Sequence, residues 1–223
     1  MTTLRRRLSR RSAEDRGAAM VEFAFLFPLV LLLTMGIIEF GLVLRDYVGV
    51  SNIVRDSVRT ASAEPQKGAT GSLTAIRGGH AGTTLPTSFA YDASRIIEST
   101  GTAVPKSTII DMWVYLANPK GYPAQSVAGW ASDTTSAFTS CPTATCVRYA
   151  WDTSDSSFAY RSGDWDPAKI NACAGKPQAM AVGVYMRIQH RSIVPGLLKT
   201  GFTISDSAVL RFEPMRNIGC AGT

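Results

Sequence analysis

From Phe23 to Ile38 the chain carries no charge, and the apolar run extends back to Ala18 and on to Leu44, interrupted only by Glu22 and Glu39. These 27 residues would make roughly 40 Å of helix at 1.5 Å rise per residue. That is more than the ~30 Å hydrocarbon core of a bilayer requires. The sequence therefore predicts a single membrane span, with Pro28 inside it. The acids are the anomaly, because a charged side chain at mid-membrane costs roughly 2.5–3.5 kcal/mol on insertion scales.

The charge distribution orients this span. Residues 1–17 hold Arg5, Arg6, Arg7, Arg10, Arg11 and Arg16 against Glu14 and Asp15, a net +4 out of the chain's +6. Basic residues flanking a span stay in the cytoplasm, so residues 1–17 read as a basic cytoplasmic leader and residues beyond Arg45 as extracytoplasmic. The remaining 17 basic and 15 acidic residues show no basic stripe, which argues against nucleic acid as a partner. An ordinary secretory signal is also disfavoured. Its apolar core is 7–15 residues long and is followed closely by a small-residue cleavage site, whereas the nearest such match here, Ala61-Ser62-Ala63, lies far beyond the apolar run.

The offset of Glu22 from Gly17 offers an explanation. A basic leader, a glycine, four small or apolar residues, Glu22, Phe23 and then a membrane helix resemble the class III (prepilin-type) signal. The resemblance implies cleavage between Gly17 and Ala18 by a prepilin peptidase, on the cytoplasmic side, with the span left on the mature protein. Glu22 then lies four residues from a new α-amino group, the spacing at which helix side groups meet, and in the first turn, where the helix dipole favours an anion. In pilin-like assemblies the corresponding glutamate meets the N-terminus of a neighbouring subunit. One sequence does not choose between those partners. The competing reading is a plain single-pass anchor with an interfacial acid.

The resemblance extends further. The Gly17 junction with Glu22-Phe23, Pro28, the block GIIEFG at Gly36–Gly41 and the tail NIVRDSVRTA together resemble the TadE-like family of the tight-adherence (Flp-type) pilus machinery. Arg55 and Arg59 match that family's two arginines; Asp56 and Ser57 stand where it often has Glu and Gly. The resemblance covers residues 17–62 and implies a minor pilin or pseudopilin involved in assembly of a pilus or related secretion apparatus. Its partners would be the membrane, a prepilin peptidase and other pilus or pseudopilin subunits. Its place would be the bacterial inner membrane, with the head outside and an association with the pilus. Glu22 and Phe23 are the assembly and recognition residues so implied. Glu39 has two open readings, a side chain reaching the outer headgroups or a subunit contact.

Beyond the span, Tyr47, Val50, Val54, Val58 and Ala61 recur at steps of three and four, an amphipathic stripe on a helix continuing to residue 63. Residues 18–63 are thus expected to be one helix and residues 64–223 an extracytoplasmic head. Residues 64–88 read as a loop and Phe89–Ser99 as a short helix. Apolar runs at 107–116, 146–151, 180–190 and 202–213 read as strands. Val182, Val184, Met186 and Ile188 alternate with Gly183, Tyr185, Arg187 and Gln189, the period of a half-buried strand. The expected fold is α+β and pilin-like: a long transmembrane and amphipathic helix packed on a small antiparallel sheet.

Cys141, Cys146, Cys173 and Cys220 all lie on the predicted outer side, where disulfides form. Four cysteines allow three connectivities. Cys141–Cys146, closing CPTATC, with Cys173–Cys220 is the favoured one. No metal is expected, because the spacing lacks the paired C-x₂-C of structural zinc sites. Asp152, Asp155, Asp164 and Asp166 share a Ser-rich loop without an EF-hand pattern, and read as solvated rather than calcium-binding. Phe158, Tyr160, Trp151 and Trp165 in the same segment read as core. His80 and His190 are the chain's histidines; the first sits in a loop, and the second ends a strand and is expected to face solvent. No G-x-S-x-G, H-E-x-x-H or nucleotide-binding fingerprint occurs, so no enzyme activity and no cofactor are expected. The alternative function is an uncleaved, single-pass anchored module that binds an extracytoplasmic ligand.

Overall fold

The computed structural model describes residues 2–65, 89–100, 104–154, 156–173, 179–193 and 201–214, with side chains from Gly17 onward. The chain divides into two units, residues 1–43 with 192–200 and residues 44–191 with 201–223. Helix α1 (Thr2–Ala63) is continuous and contains Pro28. Its first part includes the basic leader, so the Gly17–Ala18 junction lies within a helix. The expected loop at 64–88, with His80, falls outside the described residues from 66 onward.

The second unit is an α+β head. Strands β1 (Ile109–Ala117), β2 (Cys146–Asp152), β3 (Ser157–Gly163), β4 (Ala181–His190) and β5 (Phe202–Arg211) form one antiparallel sheet in the order β3-β2-β1-β4-β5. Helix α2 spans Phe89–Thr100. Four strands fall within a residue or two of the expected runs. β3 does not; its segment read as part of a Ser-rich acidic loop. Ser157–Gly163 pairs with β2 across a tight turn in which Asp152 accepts from Ser154 N–H at 3.0 Å. The local polarity of that turn masks a strand that only its neighbour stabilises.

One sheet face carries Met112, Val114 and Leu116 of β1 in register with Val147 and Tyr149 of β2 and Val182, Val184 and Met186 of β4. All are buried. Helix α2 packs on β1 and β3. Tyr91 meets Tyr149, Phe89 meets Trp165 edge-on at 5.2 Å, and Glu98 accepts the Phe158 N–H at 3.0 Å. The outer part of α1 belongs to the same core. Val50, Ile53, Val54, Ser57, Val58 and Ala61 are buried, whereas Arg55, Asp56 and Arg59 are exposed. The stripe departs from expectation at one end. Tyr47 is 50% exposed, and Asp46, one turn before Val50, takes the inward position instead. Ser62 O accepts the Glu213 N–H at 2.9 Å and fastens the other end.

The sheet's opposite face is covered too, so β4 is not the half-buried strand that its alternation predicts. Trp113, Tyr115, Ala117, Cys146 and Tyr185 form a second cluster, packed by Phe138 and Cys141 from the 118–145 connection. Phe138 stacks on Tyr185 at 4.0 Å. Gly183 makes room for this layer: a Cβ there would lie 2.2 Å from the Tyr115 ring. The Cys141–Cys146 disulfide, the expected pairing, ties the connection to β2. With cover on both faces, β1 is buried along its length except at Ile110, as strands in doubly covered sheets are.

Candidate functional site

Apart from Glu22 near its start, the exposed surface of α1 from Met20 to Leu44 is apolar in nearly every direction. Phe23 is 64% exposed, Phe25 79%, Ile37 71% and Phe40 69%. A helix that turns apolar side chains outward in every direction needs an apolar medium or apolar partners. Among the described residues one helical segment, Gly17–Ala63, is long and apolar enough to cross a membrane, and its most apolar window has no buried residue. Phe23 and Phe27 lie one turn apart with ring centroids at 5.5 Å. Gly17, Ala18 and Glu22 are exposed on this surface.

Glu39 is different. It is 2% exposed, and its carboxylate accepts the Ile193 N–H at 3.1 Å. The structure thus turns it inward, onto the backbone of Ile193. Glu22 and Glu39, 17 residues apart, are not brought together.

The family comparison bears on this helix. Residues 17–59 match the family model of TadE-like proteins. The match starts at Gly17 and takes in Glu22, Phe23, Pro28, Glu39 and both arginines of the tail, so it covers the apolar run of α1 and the stretch that follows it, and none of the sheet. No curated protein and no solved structure matches the chain.

The head holds two polar clusters that sequence reading did not find. Asp111, with no exposed surface, receives a two-pronged contact from Arg187, Nε to Oδ1 at 2.7 Å and Nη2 to Oδ2 at 2.5 Å. Trp113 Nε1 donates to Oδ2 at 3.1 Å, and Arg148 Nε lies 2.8 Å from the same oxygen. Burial pushes the Asp111 carboxyl up, but the Arg187 and Trp113 hydrogen bonds and the two arginine charges outweigh it and hold the carboxyl below the usual carboxylate range. An acid in the otherwise apolar run IIDMWVYL was the signal available. In the second cluster His190, expected to face solvent, is 2% exposed; its Nδ1 lies 2.8 Å from Asp46 Oδ2 and its ring 5.2 Å from Phe202. The last residue of a strand is solvated only where nothing caps it, and here α1 supplies Asp46.

Phe158 and Trp165 are fully buried, as core aromatics. Asp166 caps a 3₁₀ turn through the Ala168 N–H at 2.9 Å. Asp155, and Cys220 as the expected partner of Cys173, lie outside the described residues. Among the described residues no group of three or more His, Cys, Asp or Glu is arranged to hold a metal.

Proposed function

We propose that this chain is a minor pilin or pseudopilin of a tight-adherence pilus, or of a related secretion apparatus, anchored in the bacterial inner membrane with its head outside. The observation that carries the reading is the TadE-like match beginning at Gly17, the residue after which a prepilin peptidase would cut, next to a stretch of helix, residues 20–40, whose large apolar side chains are exposed.

The cut would change the chemistry of Glu22. In the uncut chain it lies deep in a continuous helix, far from the favourable N-terminal dipole. Cleavage between Gly17 and Ala18 makes it a first-turn acid, four residues from a free amino group. Phe23 follows at the edge of the uncharged run. Glu22 then has a partner at the membrane boundary, its own amino group or that of a neighbouring subunit. Pairing with a neighbour would favour assembly. Glu22→Ala should leave the head folded and abolish assembly, read as loss of co-purification with other pilus subunits.

The test of processing is the intact mass and N-terminal sequence of the chain from its native membrane. A mature chain beginning at Ala18 is expected. A chain that keeps residues 1–17 in cells with active prepilin peptidase would overturn the reading in favour of an uncleaved, anchored binding module.

A further inference from the structure

Glu22 and Glu39 both interrupt the apolar belt, but Glu39 alone is withdrawn from its surroundings. Its neighbours Ile38 and Phe40 are 53% and 69% exposed, whereas Glu39 is 2% exposed and accepts the Ile193 N–H. Ile193 in turn presents a side chain 64% exposed. The belt continues outward past Glu39 to Leu44, which is 52% exposed. Glu39 lies roughly 26 Å along the helix from Glu22 at 1.5 Å per residue, inside the far edge of a ~30 Å hydrocarbon core. By sequence, the exposed Arg191 precedes Ile193 by two residues, and no charge follows Ile193 before Lys199.

A carboxylate at that depth needs a donor, and the Ile193 amide supplies one. The same bond fixes a branched aliphatic side chain, largely uncovered, beside a surface made of the same kind of side chain. We propose that Ile193 is a further membrane contact of this chain. Its side chain lies among acyl chains of the outer leaflet, and Glu39 is the positioning residue that holds it there. The occupant is lipid because Ile38, Phe40 and Ile193 are exposed apolar side chains and Glu39 among them is turned inward, while the exposed Arg191, two residues before Ile193, suits the headgroup boundary. The proposal rests on the reading of residues 18–44 as a span.

The test places the photo-crosslinking residue p-benzoylphenylalanine at position 193, 40 or 132 of the full chain, reconstituted in vesicles of phosphatidylethanolamine and phosphatidylglycerol. Adducts are identified by mass spectrometry. Position 40 reports the span and position 132 an exposed site of the head. Lipid adducts at 193 comparable to those at 40, and well above those at 132, are expected. Adducts at 40 with none above background at 193, or with only protein adducts at 193, would overturn the inference and leave the span standing. Background yield at 40 as well would overturn the span and the inference with it. Glu39→Ala should lower the lipid yield at 193 about threefold or more, the worth of one hydrogen bond. Glu39→Gln, whose amide oxygen still accepts, should retain it. Equal yields in all three would remove the positioning role.

Discussion

The membrane-type half of α1 and the head are built from similar residues turned opposite ways. In the belt, Phe23, Phe25, Ile37 and Phe40 face outward and an acid, Glu39, faces inward. In the head, Val54, Met112, Val184 and Phe158 face inward, and the arginines that hold the buried Asp111 reach partly into solvent. Both regions must satisfy an acid removed from water. The belt does so with a backbone N–H, the head with two guanidinium groups and an indole. A backbone amide is what a helix surface in an apolar medium can obtain from a passing connection. A strand face can recruit charged side chains from both neighbouring strands.

Breaking the head's arrangement should cost most. Asp111→Ala leaves Arg187 and Trp113 without their acceptor and should cost about 3–5 kcal/mol, the usual loss when one partner of a buried pair is removed. Tryptophan-fluorescence unfolding in detergent would measure it; a loss below about 1 kcal/mol would mean that solvent replaces the carboxylate. The pH dependence has a definite sign. Because the folded carboxyl sits below its ordinary value, its contribution is complete above about pH 4 and disappears as pH falls through the folded value. The stability gap between wild type and Asp111→Ala should therefore shrink below about pH 4 and stay flat above it.

Ile53→Ala, in the buried stripe of α1, should cost about 2–4 kcal/mol through lost burial and a cavity. A loss near zero would show that the stripe does not pack on the head in solution. Cys141→Ser opens a short covalent loop of sequence separation 5 and should cost about 2 kcal/mol in the chain-entropy account. Its thermal midpoint should fall below that of the oxidised wild type but stay above that of the fully reduced wild type, which also loses the disulfide of Cys173. At the other extreme, Leu31→Ala on the belt, where the leucine is 45% exposed, should change head unfolding by less than about 0.5 kcal/mol. A larger effect would show that the belt's apolar surface is covered by the head rather than by its surroundings.

Most of the local architecture was legible. The uncharged run, the arginine-rich leader and the stripe from Val50 to Ala61 fixed one long helix with two environments, because helix periodicity and length are properties of neighbouring residues. Four strands and the Cys141–Cys146 pairing followed for the same reason. What the sequence could not reveal lies between distant residues. Arg187 meets Asp111 across 76 positions and His190 meets Asp46 across 144. β3 exists because β2 pairs with it. The covered second face of the sheet depends on Phe138 landing on Tyr185. The sequence by itself determined the helix, its apolar belt and the α+β class; only the tertiary structure decided which polar groups are buried, since a buried charge survives where the fold brings its partner within hydrogen-bonding distance.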